Sequence, residues 1–220
     1  MERSLVIIKP DGTIRRRVSA LVLKALLDKG YKIRAFREMK VPKSLAKLHY
    51  AVHKEKPFFP WLVDFISSAP VLTMIFEGPN VIQGVRDTLG ATFVQKADPT
   101  SLRGKYGIWA GVNIAHASDA PETAEKEIEL WTGEGGLVES SDAEEQAREY
   151  IEKYSSGEAD YTMEIRSVVK KAIENHDTSD NVLQSLIQLL GKDSKGIAAE
   201  EINALALAIF DFVKEEVGKL

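Results

Sequence analysis

Ser4-Leu5-Val6-Ile7-Ile8, close to the N-terminus, limits the fold more than any other stretch. A continuous apolar run of this length suits a central strand. It ends in Lys9-Pro10-Asp11-Gly12, which reads as a turn, so Lys9 stands at the C-terminal mouth of a buried strand. Such a lysine is either a solvated strand end or an anion ligand at a sheet edge.

The rest of the first two-thirds is organised around that strand. Val18 to Lys29 has Val18, Leu21, Val22, Ala25 and Leu26 on one face and Gly30 as its stop, so it reads as a helix. Tyr31 to Val41 reads as a second strand, and Pro42 to Val52 as a short helix carrying Tyr50. Phe58, Phe59 and Trp61 lie among prolines ahead of an apolar helix that ends near Ser67. Aromatics so placed are core packing, or a platform for a nucleobase. Val71 to Phe76 is a third strand, and the helix after Asn80 carries Arg86 near its C-terminal end. Thr92 to Gly107 has no clear periodicity, and a stretch of that kind in a compact domain tends to be functional. The order βαββαβ implies an α/β (α+β) fold, a ferredoxin-like sandwich with an antiparallel sheet and helices on one face.

Asn113 to Glu127 then sets one histidine, His116, between an apolar run ending in Ile114 and a helix start. Ser118 and Asp119 are expected to cap that helix, with Pro121 in its first turn. Glu127 lies in the second turn, within reach of the ring. A carboxylate on one imidazole nitrogen fixes the tautomer and leaves the other nitrogen as nucleophile or base. Read alone, the same stretch also fits a core histidine beside an ordinary helix. Lys9, Arg86 and Arg103 come from separate elements, and phosphoryl transfer needs such cations to converge on a nucleophile. Spacing does not establish that they do.

Composition excludes several classes. The net charge of -4 argues against a general nucleic-acid binder. With no cysteine, disulfides and thiolate metal sites are impossible. The four histidines are scattered, and His49 and His53 lack the glutamate of a zinc-protease motif. No segment is long and apolar enough to span a bilayer as a helix, and the N-terminus runs straight into a strand without a signal-peptide pattern. A cytoplasmic chain is expected.

An ordered set of motifs narrows the reading. Ile7-Ile8-Lys9-Pro10-Asp11-Gly12, His49-Tyr50, Lys56-Pro57-Phe58-Phe59 and Ser68-Ala69-Pro70-Val71 are followed by Phe76-Glu77-Gly78-Pro79-Asn80-Val81 and Leu102-Arg103-Gly104. Asn113-Ile114-Ala115-His116-Ala117-Ser118-Asp119, Ala124-Glu125-Lys126-Glu127-Ile128 and Leu130-Trp131 complete it. In order and spacing, from residue 3 to about residue 140, the chain resembles the nucleoside diphosphate kinase family. The resemblance implies ping-pong transfer of the γ-phosphate of ATP, or another nucleoside triphosphate, to a nucleoside diphosphate. His116 is then the nucleophile, transiently phosphorylated on Nδ1, with Glu127 and Ser118 orienting the ring. Lys9, Tyr50, Arg86, Thr92, Arg103 and Asn113 match positions that hold phosphates or sugar hydroxyls, and Phe58 matches the aromatic under the base. Mg²⁺ arrives on the nucleotide phosphates, so no protein metal cluster is expected. The family also implies a homo-oligomer, usually a hexamer. Three positions depart from the family pattern: Phe93-Val94 stands for Asn-Pro, Pro99-Thr100-Ser101 for Pro-Gly-Thr, and Val112 for Arg.

The last third lies outside the resemblance. The family's chain ends near Leu137-Val138-Glu139; here a charged helix continues from Asp142 to Lys153, and Ser155-Ser156-Gly157 reads as a linker. Residues 1–157 are expected as a kinase domain and 158–220 as a helical extension. Apolar stripes at 160–175, 180–190 and 194–217 predict a small bundle or αα-hairpin. Every matched residue precedes the linker, so the extension is expected to be dispensable for chemistry. The alternative is a nucleotide-binding scaffold whose tail recruits a partner.

Overall fold

In a computed structural model, which describes residues 1–157 and 159–219, the first two-thirds form the expected βαββαβ sandwich. Strands β1 (Glu2–Ile8), β2 (Lys32–Met39), β3 (Val71–Gly78) and β4 (Ala115–Ala117) make one four-stranded sheet in the order β2-β3-β1-β4. Every described pairing is antiparallel. Between β1 and β2 run α1 (Pro10–Thr13) and α2 (Arg16–Leu27); between β2 and β3, α3 (Lys43–His49) and α4 (Phe59–Ser67). Before β4 come α5 (Val81–Leu89) and α6 (Leu102–Tyr106), and after it α7 (Pro121–Gly133) and α8 (Ala143–Ser155).

Helices cover both faces of this sheet rather than the one face expected. The reason lies in β1, where Leu5, Val6, Ile7 and Ile8 are all fully buried. Side chains alternate along a strand. Val6 and Ile8 therefore pack with Met74, Phe76 and the apolar faces of α2 and α5, while Leu5 and Ile7 pack with Ala35, Val71, Ile75 and Trp131 on the other side. Burying one such side chain stabilises the fold by roughly 1.5–3 kcal/mol. The Lys9 turn tightens into the single helical turn α1, with Pro10 at its first position, where a missing N–H costs nothing.

Helix α8 belongs to the same body. Ala143, Ala147 and Tyr150 pack into the core under α2. The Tyr150 hydroxyl accepts from Arg16 Nη1 at 3.0 Å and lies 2.7 Å from Ser19 Oγ. Beyond it, α9 (Thr162–Glu174), α10 (Asp180–Leu190) and α11 (Ala199–Val217) form a three-helix bundle. Helix α11 starts at Ala199, five residues later than the apolar pattern suggests, because a 3₁₀ turn and a loop occupy 191–198. None of the described helices is long and apolar enough to cross a membrane.

The bundle does not close on itself. Ile165, Val169, Leu186, Leu205, Ile209 and Val213 share one core with Ile14, Phe65, Ile108 and Val112 of the sandwich. Trp61 Nε1 donates to the Ala208 carbonyl at 2.8 Å. Replacing the fully buried Ile209 by alanine removes contacts on both sides of that seam. Urea unfolding of Ile209→Ala should show a loss of about 2–5 kcal/mol; a loss below about 1 kcal/mol would show that the seam is loosely packed.

Candidate active site

His116 is the middle residue of β4, which pairs with β1 so that His116 faces Ile7 in register. The segment before it is strained. Ile114 has φ of 70°, a left-handed conformation that a β-branched side chain resists. Two hydrogen bonds hold it there: its N–H donates to Asp11 Oδ2 at 2.8 Å, and its carbonyl accepts from the Lys9 N–H at 2.8 Å. Gly12 makes the close approach of α1 possible. A Cβ there would lie 2.7 Å from Ile8 Cγ2 and 3.1 Å from the Ile114 carbonyl. The turn after β1 and the start of β4 are thus locked together, which sets Lys9 near His116.

The ring is held from the side of α7. His116 Nε2 lies 2.9 Å from Glu127 Oε1, a close contact without the alignment of a good hydrogen bond. Glu127 Oε2 accepts from Ser118 Oγ at 2.7 Å, and Ser118 Oγ accepts from the Leu5 N–H at 3.0 Å. Ser118 therefore does not cap α7, and neither does Asp119: the residue ahead of the helix is Ala120, which has no side-chain cap. The serine hydroxyl is already committed to the carboxylate. Pro121 does occupy the first turn.

The cations converge. Lys9 Nζ donates to the Gly111 carbonyl at 2.8 Å and lies over the Phe65 ring. Burial, with a contribution from Arg103, pushes the Lys9 ammonium down to about 8 against the pull of Asp11. Arg103 donates from Nη1 to the Gly90 carbonyl and from Nη2 to the Ala115 carbonyl, both at 2.8 Å. Burial and neighbouring Arg86 bring it down to about 10, again against Asp11. Depression led by burial and reinforced by a neighbouring cation marks positive groups held in one desolvated place. Tyr50 is buried, which raises its pKa and keeps the phenol protonated. Asn113 Nδ2 donates to the Thr92 carbonyl at 2.7 Å, tying the loop at 92 to the strand carrying His116. Phe58 is 40% exposed at the rim, near His53.

Of the eight buried side-chain atoms without a hydrogen-bond partner among the described residues, four lie here besides the His116 Nε2 that faces Glu127: Asp11 Oδ1, His49 Nε2, Arg103 Nε and Asn113 Oδ1. Unpaired buried polar atoms are costly, and their clustering marks a place where a polar ligand is received.

A profile of the family described as nucleoside diphosphate kinase matches residues 2–137 of the chain. The chain belongs to the nucleoside diphosphate kinase family. Nucleoside diphosphate kinases from Trichormus variabilis and Oceanobacillus iheyensis are 45% and 44% identical to it over 138 and 151 residues. Those alignments cover 63% and 69% of this chain and 92% and 99% of the relatives. The solved nucleoside diphosphate kinase of Aquifex aeolicus aligns with a TM-score of 0.57 at 36% identity, over 62% of this chain and 99% of its own. A family protein from Babesia bovis aligns with a TM-score of 0.58 at 38% identity, over 66% of this chain and 98% of its own. Nearly the whole length of these relatives is therefore matched here, and a further helical third lies beyond the match.

Two neighbours of the kinase-type site carry no role in the sequence reading. Asp11 lies inside the matched Lys-Pro-Asp-Gly motif but reads there as a turn residue; its reach to Ile114, 103 positions away, is a tertiary fact. His49 stacks edge-on against His116, ring centroids 4.6 Å apart, and burial drives its pKa down to about 3, so it is neutral. Its place in the His49-Tyr50 pair was the only sequence signal.

Burial works against the Glu127 carboxylate, but His116, Ser118 and His49 together hold it below the usual range. A carboxylate with a depressed pKa stabilises the fold above the ordinary carboxylate range, and that contribution is lost as pH falls through the lowered value. Urea unfolding of Glu127→Gln should therefore differ most from the parent near pH 7, with the gap closing below about pH 4. A gap that widens in acid would contradict the assignment.

Proposed function

We propose that the chain is a nucleoside diphosphate kinase that passes the γ-phosphate of a nucleoside triphosphate to a nucleoside diphosphate through phospho-His116. The observation that carries this reading is the 2.9 Å approach of Glu127 to His116 Nε2. A carboxylate this close favours the tautomer with its hydrogen on Nε2, which leaves the lone pair for attack on Nδ1. In the first half-reaction Nδ1 attacks the γ-phosphorus; the N–P bond forms and the bridging β–γ P–O bond breaks. The nucleoside diphosphate leaves with the bonding electrons. Positive charge grows on the ring as the bond forms, and the Glu127 carboxylate stabilises it. In the second half-reaction a terminal oxygen of the acceptor diphosphate takes the phosphoryl group and returns the ring to its neutral state.

Lys9, Arg86 and Arg103 are assigned to the phosphates, whose charge they offset. The unpaired Arg103 Nε and Asn113 Oδ1 are a donor and an acceptor suited to phosphate oxygens and sugar hydroxyls. Tyr50, held protonated, is an O–H donor beside the transferred group. Thr92 is assigned to a phosphate, and Phe58 to the base, which it stacks on without selecting one.

Magnesium requires oxygen ligands in a near-octahedral set. His49, His116 and Glu127 bring ligand atoms within 4.8 Å of one another, but two of the three are imidazoles. Trp131 Nε1 also donates to His49 Nδ1 at 3.3 Å, which places the hydrogen on Nε2 and removes it as a ligand. This trio does not fit Mg²⁺. The ion is assigned to the nucleotide phosphates, where it shields their charge.

Residues 1–157 are proposed as the kinase unit and 158–220 as an extension. The family profile ends at 137, and α8 still packs on the sandwich. A homo-oligomer, with the hexamer as the family's usual form, completes the reading.

Incubation with radiolabelled ATP should put acid-labile phosphate on the chain, and an added nucleoside diphosphate should remove it. His116→Ala should take up none. Equal labelling of His116→Ala, or label that no diphosphate discharges, would overturn the reading.

A further inference from the structure

Helix α6 is a single turn and a half, yet it carries Arg103. A helix this short leaves its last carbonyls without intrahelical partners. Here they are taken up by two arginines. Arg166 on α9 donates from Nε to the Gly107 carbonyl at 2.6 Å and from Nη2 to the Gly104 carbonyl at 2.7 Å. The same Nη2 also reaches the Arg103 carbonyl at 3.3 Å. Arg15 donates from Nη2 to the Tyr106 carbonyl at 2.8 Å. Its Nη1 donates to Thr162 Oγ1 in the first turn of α9 at 2.8 Å, and its Nε to the Asp11 carbonyl at 2.7 Å. The two guanidiniums thus tie three pieces together: α1 behind Lys9, α6 with Arg103, and the start of the extension.

The surrounding contacts hold α9 in place. Ile165 is fully buried in the core that includes Ile108 and Val112, so α9 lies against the 107–112 loop on a packed apolar seam. Arg166 is half-buried, and charge-assisted hydrogen bonds to carbonyls are stronger there than in open water.

We propose that Arg166, from the extension, is a positioning residue for phosphoryl transfer, acting through Arg103. It clamps the C-terminal turn of α6 and so fixes where the Arg103 guanidinium meets the Ala115 carbonyl, one residue before His116. The extension is then a working part of the phosphate site, against the expectation that it is dispensable for chemistry. This inference rests on the kinase reading of the site.

The test is a double-mutant cycle in the full-length chain, with ATP as donor and dTDP as acceptor at a temperature well below unfolding. Arg166→Met keeps the side-chain length and removes every donor. It should lower kcat/KM for dTDP about tenfold, mainly through KM, while Arg166→Lys, which keeps the charge and one reach, recovers part of the loss. In an Arg103→Ala background, Arg166→Met should change kcat/KM by less than about twofold, because the group it positions is gone. ADP titrated calorimetrically into the parent and Arg166→Met chains should show the same weakening without turnover. Unchanged kcat/KM in Arg166→Met, or the same tenfold loss with and without Arg103, would overturn the proposal. So would a lowered melting temperature with normal kinetics and ADP affinity, which marks a purely structural clamp. If Arg166→Met does not fold, Arg166→Lys carries the cycle, and its loss should likewise vanish beside Arg103→Ala. A parent chain that neither binds ADP nor transfers phosphate would defeat the kinase reading itself, a different outcome from an active parent matched by its variants.

Discussion

In the proposed reaction, the nitrogen of His116 that attacks is selected by a chain of three side chains. Ser118 takes the N–H of Leu5 and gives its own hydrogen to Glu127; Glu127 closes on His116 Nε2. The chain begins on β1 and ends on the ring, so the ring is referenced to an interior strand of the sheet. Little slack is possible, since Leu5 is fully buried and Ser118 with it. Even the strain at Ile114 belongs to this arrangement. It turns the backbone into β4 and is held by Asp11 and Lys9, from the turn after β1.

The electrostatics have a cost that, in the proposed reaction, a bound polyphosphate would offset. Lys9 and Arg103 are buried near one another, and each is pushed below its ordinary range. Backbone carbonyls of Gly111, Gly90 and Ala115 satisfy part of their hydrogen-bonding capacity. In the proposed reaction a polyphosphate would supply the negative charge that these carbonyls lack. Cations held in place before the ligand arrives need no reorganisation when charge develops in the transition state.

Much of this was legible in the residues, and the limits have physical causes. The apolar run Leu5–Ile8 announced a central strand, and its uninterrupted character also explains why helices cover both faces. His116 between a strand and a helix start, with Glu127 two turns on, pointed to the close pairing of ring and carboxylate. Ser118 misled because serine ahead of a proline-started helix has the chemistry of a cap; only the tertiary approach of Glu127 diverts it. Arg15 and Arg166 were invisible because most of their partners are backbone carbonyls, which look alike at every position in a sequence. The three apolar stripes of the extension predicted helices, but not that Phe65, Ile108 and Val112 would share their core.

The central claim is that Glu127 reserves Nε2 and leaves Nδ1 to carry the phosphoryl group. Phosphorus NMR of the chain, phosphorylated by ATP and denatured in alkali to preserve the bond, separates the two phosphohistidine isomers directly. The account predicts a signal from the Nδ1 isomer at His116. A signal from the Nε2 isomer would contradict it, because the phosphoryl group would then occupy the position held by Glu127.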